Sequence, residues 1–202
     1  MTPLQPASLQ GQIDVVAFDL DGTLVESPLD FVAIRHELGW QSNCDLLQTL
    51  AAISDDDSRA HAAAVISRHE MEAAERSVLL PGVLEALHEL HECGFPTAIL
   101  TRNIRVATQH MLSRLKIPIS LVLTREDCAA KPDPEGLLRI AAHYQRPIHR
   151  LLYIGDYHFD LTTAANAGAQ SCLLLTNSNQ QYAQQANWLM ADYSQLARAL
   201  TS

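Results

Sequence analysis

What the 202-residue chain lacks narrows its role before any motif is read. Its four cysteines, Cys44, Cys93, Cys128 and Cys172, are scattered and form no CxxC pair. A chain of this size needs no disulfide staples, so they read as reduced thiols of a cytoplasmic protein. Residues 1–12 have neither a basic start nor an apolar stretch of signal-peptide length. Thr2–Gln12, with Pro3, Pro6 and Gly11, reads instead as a loose leader. No apolar run approaches the roughly 20 residues of a membrane span, so no membrane association is expected. Lysine and arginine total 14 against 23 acidic residues, a formal net charge of −9. That balance leaves no basic face for a nucleic acid, and none is expected as a partner. A small anionic substrate stays compatible, because a few local cations and a bound metal outweigh a negative average. The protein is expected to act as a monomer or a homodimer.

About half of the residues are apolar (48%), enough for a sizeable core. Short continuous apolar runs fall at Ile13–Phe18, Pro96–Leu100, Ile119–Leu123, Leu151–Ile154 and Cys172–Leu175. Unbroken rather than alternating apolar runs are what parallel strands covered on both faces require. Helical patterns separate them. Ile104, Ala107, Met111 and Leu115 share a face of Asn103–Leu115, and Val83, Leu87 and Leu90 share one in Gly82–Cys93; Glu135–Gln145 and Asp160–Ala167 complete the alternation. The pattern predicts an α/β fold with a doubly wound parallel sheet. From Ser27 to Leu80 no strand is evident, and Phe31–Leu38, Asp45–Ile53 and Ser58–Ser77 read as helices, the last started by Asp55-Asp56-Asp57-Ser58. The alternation resumes at Pro81-Gly82, a junction dipeptide. The Gln-rich piece Asn179–Gln185 reads as a solvated surface segment.

In an open parallel sheet, ligands bind beyond the carboxyl ends of the strands. The first strand here ends on Asp19 and Asp21, the second on Thr101, Arg102 and Asn103, the third leads to Lys131, and the fourth ends on Gly155 and Asp156 with Asp160 nearby. So many carboxylates in one crevice would repel one another and force some to protonate. A hard divalent cation removes that conflict, and magnesium fits best, because it accepts one or two carboxylates together with waters and a phosphate oxygen. Thr101 and Lys131 can hold the other phosphate oxygens, and the backbone N–H groups of Arg102 and Asn103 open a helix where an anion is welcome.

The runs Asp19-Leu20-Asp21-Gly22-Thr23, Leu100-Thr101-Arg102-Asn103, Lys131-Pro132 and Ile154-Gly155-Asp156-x-x-x-Asp160 together resemble the four ordered motifs of the haloacid dehalogenase-like (HAD) hydrolase superfamily. The helical insert and the return through Leu80-Pro81-Gly82-Val83 resemble its phosphoglycolate phosphatase-like branch. The resemblance implies a Rossmann-like core (1–26 and 81–202) with a small α-helical cap (27–80). It also implies a phosphatase acting on a small phosphorylated metabolite, phosphoglycolate-like or a sugar phosphate. Asp19 would be the nucleophile that forms an aspartyl-phosphate, and Asp21 the acid and then the base. Magnesium would be held by Asp19, Asp156 and the backbone carbonyl of Asp21. Thr101, Arg102, Asn103 and Lys131 would hold the phosphate, with Thr23, Gly155 and Asp160 in support. Asp21 argues against dehalogenases and phosphonatases, which carry no aspartate there. Thr23 favours a phosphatase over a sugar phosphomutase, which often has valine. The alternatives are a phosphomutase of the same superfamily and a catalytically weak, metal-binding regulatory protein.

Several residues carry a plainer reading. Thr101 could be a helix N-cap and Asp160 an ordinary helix-start acid. His88 and His91 fall opposite the apolar face of their helix and are expected in solvent. Arg35 is expected to be a solvated helix arginine, its alternative being a grip on a substrate carboxylate. His158 is expected at the border of the site rather than on the substrate. Trp40 suits either a cap loop facing the crevice or core packing.

Overall fold

The computed structural model describes residues 2–5 and 7–201; Met1, Ser202 and Pro6, counted above in the leader, lie outside them. The strands are β1 (Thr2–Pro3), β2 (Val15–Phe18), β3 (Val25–Glu26), β4 (Val78–Leu79), β5 (Thr97–Leu100), β6 (Leu121–Leu123), β7 (Leu151–Gly155), β8 (Gln170–Leu174) and β9 (Trp188–Met190). Seven of them form one sheet in the order β1-β9-β8-β7-β2-β5-β6. Every pairing in it is parallel.

The reason is visible in β2. Val16 and Phe18 enter one apolar cluster, Val15 and Ala17 a second on the opposite face. In β7, Leu152 and Ile154 join the first cluster, Leu151 and Tyr153 the second. A strand buried on both faces needs a helical layer on each side. Helices α4 (Val83–Glu92), α5 (Arg105–Leu115) and α8 (Leu196–Thr201) supply the first cluster; α6 (Glu135–His143) and α7 (His158–Ala167) supply the second. Phe18 is fully enclosed, and truncating such a side chain to alanine typically costs about 3–5 kcal/mol. The central strands thus lock β2 and its C-terminal aspartates in place.

Between β3 and β4, which pair antiparallel, run three helices: α1 (Phe31–Glu37), α2 (Leu46–Ala52) and α3 (Asp56–Arg76). Each opens on an aspartate, Asp30, Asp45 or Asp55, whose carboxylate accepts a first-turn N–H. Ile34, Leu46 and Ile66 make a separate small core, with Leu38, Trp40 and Leu50 packed on it; Trp40 therefore takes the packing alternative. His88 and His91 are exposed, as expected. Among the described residues no helix is long and apolar enough to cross a membrane, and all four cysteines are free thiols.

Two expectations fail. β4 places a short strand at Val78–Leu79, inside the Ser27–Leu80 stretch where none was evident. Thr2–Gln12 is not loose: β1 adds to the sheet edge beside β9, Leu4 and Leu9 are buried, and the N–H of Leu9 donates to the Ala199 carbonyl at 2.8 Å. Two leucines nine-tenths or more enclosed outweigh the proline and glycine punctuation that suggested a tail. The strand β9 itself escapes the sequence pattern because only Met190 of its three residues is buried.

Candidate active site

The site forms where β2 ends. The Asp19 N–H donates to the Ile154 carbonyl at 2.8 Å, extending the β2–β7 ladder by one residue and fixing where the carboxylate emerges. The chain then turns sharply, the Gly22 N–H donating to the Val25 carbonyl at 2.7 Å. Gly22 has φ +81°, and a Cβ there would stand 2.4 Å from Oδ2 of Asp156. Only glycine meets both conditions, and so the turn brings the first motif against the fourth.

Lys131 is buried between two carboxylates, its Nζ 2.7 Å from Asp19 Oδ1 and 2.6 Å from Asp160 Oδ1. Burial alone would lower its pKa, but Asp160 and Asp19 outweigh burial and hold the ammonium charged. Asp160 accepts from the Tyr157 N–H at 3.0 Å with its other oxygen, so it caps α7 and orients Lys131 at once. The Tyr153 hydroxyl, 3.3 Å from Asp160 Oδ1, donates to the Leu100 carbonyl at 2.8 Å. Gly155 leaves room for this arrangement: a Cβ there would meet Cγ of Asp160 at 2.3 Å.

Asp156 has no such partner. Burial and the Asp160 charge push its carboxyl up to about 6. Its loop is tied from behind by Asn179, whose amide donates to the carbonyls of Asp156 and Leu174, both at 2.8 Å. The expectation that Asn179–Gln185 is solvated throughout thus fails at its first residue: Asn179 is buried and anchors the loop of the fourth motif. Nothing in a run of amides distinguishes the one that turns inward.

Asp21 lies in a different environment from Asp19. Its Oδ2 accepts from the Asn103 amide at 3.1 Å, and its buried Oδ1 has no partner. Burial raises its pKa, against the pull of hydrogen bonds from Asn103 and Ser27. Burial also raises that of Asp19, reinforced by Asp160 and Asp156 and opposed by Lys131. Thr101 is buried and its Oγ1 accepts from the Asn103 N–H at 3.1 Å, leaving its hydroxyl proton free. Asn103 completes its bonding by accepting the Ile104 N–H, so its side chain serves Asp21 and the start of α5.

Asp19, Asp21, Thr101, Arg102, Asn103, Lys131, Asp156 and Asp160 all line one cavity of about 460 Å³ between the sheet edge and helices α1–α3. Thr23 and Gly155 are not part of its lining. The Thr23 carbonyl accepts from the Tyr193 hydroxyl at 2.7 Å, and its own hydroxyl is buried without a partner. The Arg102 guanidinium is not free for an anion: it makes two 2.8 Å bonds to Asp45 and stacks 4.2 Å from the Phe159 ring centre. Asp45, Phe159, Ser27 and Glu70 are lining residues that the sequence did not flag. Glu70 is buried against Arg125, which also donates to the Arg102 carbonyl at 2.9 Å. Arg35 is half-buried in the wall rather than solvated. His158 stacks on Tyr157 and Tyr182 outside the lining.

The donor set fits a divalent cation. One oxygen from each of Asp19, Asp156 and Asp160 lies within 4.8 Å of the others. Lys131 neutralises Asp19 and Asp160, whereas Asp156, raised by burial and by the Asp160 charge, has no cationic partner and is free to ligate a metal. Because both Asp160 oxygens are already bonded, Asp19 and Asp156 are the better first ligands.

Three comparisons bear on this geometry. Residues 16–174 match the family model of the haloacid dehalogenase-like hydrolases. An uncharacterized hydrolase of Saccharomyces cerevisiae is 31% identical over 189 residues, covering 89% of this chain and 85% of that protein. A phosphoglycolate phosphatase of Rhodobacter capsulatus is 31% identical over 177 residues, 75% of this chain and 79% of its own. In structure, a HAD family hydrolase of Deinococcus radiodurans, solved with bound phosphate and sodium, superposes with a TM-score of 0.69 at 20% identity, covering 95% of this chain and 99% of that one.

Proposed function

The chain belongs to the haloacid dehalogenase-like hydrolases and is a phosphatase of that family, and from this premise we propose that it is a magnesium-dependent phosphatase of a small phosphorylated metabolite, phosphoglycolate-like or a sugar phosphate, acting through a phosphorylated Asp19. The observation that carries the reading is the contrast between two carboxylates two residues apart. Asp19 faces an ammonium, whereas Asp21 is held by a neutral amide with one buried oxygen bare. Burial raises both acids, Asp19 strongly, but only Asp19 has an ammonium in direct contact to hold it as the anionic nucleophile, which leaves Asp21 as the proton carrier.

An Asp19 oxygen attacks phosphorus while the bond to the leaving oxygen breaks. Asp21, protonated at Oδ1, gives its proton to that leaving oxygen. As a carboxylate it then takes a proton from the water that attacks the aspartyl-phosphate, which frees phosphate and restores Asp19. Lys131 and the Thr101 hydroxyl offset the charge on the phosphoryl oxygens; such a preorganised donor typically contributes about 3–4 kcal/mol. Asp160 keeps the Lys131 ammonium in place. Asp19, Asp156 and the carbonyl of Asp21 would hold magnesium, which would supply the positive charge that lets a phosphate approach these acids. Residues 27–80 act as a cap that excludes bulk water and selects the leaving group.

The test is phosphate release from a panel of metabolites and an aryl phosphate, with magnesium and with chelator, beside Asp19→Asn. Release that needs the metal and vanishes in the variant is expected. Equal release by Asp19→Asn contradicts the nucleophile assignment.

A further inference from the structure

The cations that line the cavity or back its wall pair with carboxylates, with one exception. Arg102 binds Asp45, Arg125 binds Glu70, and Lys131 binds Asp19 and Asp160. Arg35, on α1, lines the same cavity and faces no carboxylate within ion-pair distance among the described residues. It is nonetheless held. Its Nε donates to the Cys44 carbonyl at 2.9 Å and its Nη1 to the Phe31 carbonyl at 3.2 Å, and the guanidinium lies 5.9 Å from the Phe31 ring centre. Two carbonyls from separate segments fix the plane of the group, which leaves Nη2 without a protein acceptor. Leu29, Leu46, Leu47 and Ile66 line the same cavity. A charged fork that is fixed in place and unneutralised is built to receive a planar or tetrahedral anion.

The phosphoryl group already has its own cations at the opposite wall, Lys131 and the metal expected beside Asp156. A second anionic group of the same substrate would find an unpaired lining cation at Arg35. We propose that Arg35 is a specificity residue that binds a second anionic group, a carboxylate or a phosphate, on the leaving-group side of the substrate. The inference rests on the phosphatase reading and narrows it: neutral sugar and alcohol monophosphates are poor substrates, and phosphorylated hydroxy acids or bisphosphates are good ones. Without Arg35 a second anion would meet the bare carboxylate oxygen of Asp21 and no unpaired cation of the lining, so the residue decides the sign of the preference.

The experiment compares kcat/KM, with magnesium present, for matched monophosphates. One member of each set carries a carboxylate, one the corresponding neutral amide, and one a second phosphate, with an aryl phosphate alongside. For the wild type, a charged member is expected to exceed the neutral amide by about 10- to 100-fold, as a charge-assisted hydrogen bond implies. Whichever charged member leads identifies the anion. In Arg35→Met the ratio of charged to neutral collapses toward one, and Arg35→Lys keeps part of it. The dephosphorylated anionic alcohol inhibits the wild type competitively and loses that effect in Arg35→Met, a readout that a purely structural role for Arg35 would not produce selectively. Turnover of the aryl phosphate without any preference for a charged partner, or an equal fall on all members in Arg35→Met, overturns the assignment to Arg35 alone. No turnover of any member by the wild type overturns it together with the phosphatase reading.

Discussion

Replacing Arg125 by methionine is expected to destabilise the protein by about 3–5 kcal/mol at neutral pH, the range for leaving one member of a buried ion pair uncompensated. The structure places this pair at the buried end of the scale. The side chains of Arg125 and Glu70 are only 13% and 6% exposed, and Nη2 of Arg125 reaches the second Glu70 oxygen at 2.8 Å. Even with its partner present, burial raises the Glu70 pKa, and the charges of Asp21 and Glu126 add to this. An acid with a raised folded-state pKa contributes stability that is fully present below its unfolded pKa and is lost as pH rises through the folded value. Removing Arg125 raises that pKa further, by about two pH units for every 3 kcal/mol. The penalty should therefore be small near pH 3.5, below the ordinary glutamate value of 4.5, where Glu70 is largely protonated in both states, and grow toward pH 7.5. Denaturant unfolding of wild type, Arg125→Met, Glu70→Gln and the double variant at both pH values measures it, and the double variant should recover most of the loss. A penalty independent of pH, or additive in the double variant, would refute the reasoning.

Gly22→Ala is expected to cost at least about 1–2 kcal/mol from the left-handed backbone alone, and to displace Asp156, which the new Cβ would meet. Magnesium affinity by calorimetry should fall at least tenfold, and an unchanged affinity would refute the close-approach argument. Asn179→Ala removes both bonds that hold the Asp156 and Leu174 carbonyls; metal affinity should fall while the aryl-phosphate KM at saturating metal moves less. Asp45→Asn keeps a good N-cap for α2 but removes the negative charge that pairs with Arg102. Because the pair is partly exposed, the stability loss should stay below about 1 kcal/mol, whereas hydrogen exchange in α1 and α2 should quicken; unaltered exchange would show that the pair does not tie these helices to the core.

The central sheet and the site at its strand ends were legible because both follow from short-range rules. Unbroken apolar runs such as Val15–Phe18 require two covering layers, and parallel strands deliver their C-terminal residues to one edge. Asp19 and Asp156, each directly after a strand, follow from that alone. What escaped depends on pairs far apart in sequence. Asp45 reads as a helix cap, and indeed is one, but its bond to Arg102 spans 57 positions. Glu70 sits among polar helix residues and is revealed only by Arg125, 55 positions on. Arg35 could not be separated from a solvated arginine by periodicity, since its cavity exists only once α1 lies over the sheet edge. The N-terminal segment was misjudged for the same reason, because the β9 strand and the Ala199 carbonyl that hold it lie near the other end of the chain.

The most direct test of the account is to trap the phosphorylated enzyme. The protein is mixed with a turned-over substrate and magnesium, quenched in acid within one turnover, digested, and its peptides read by mass spectrometry. The account predicts a phosphoryl group on Asp19, lost on treatment with hydroxylamine and absent from Asp19→Asn. Full turnover with no phosphorylated Asp19 at any time point, or a phosphoryl group on another residue, would contradict it.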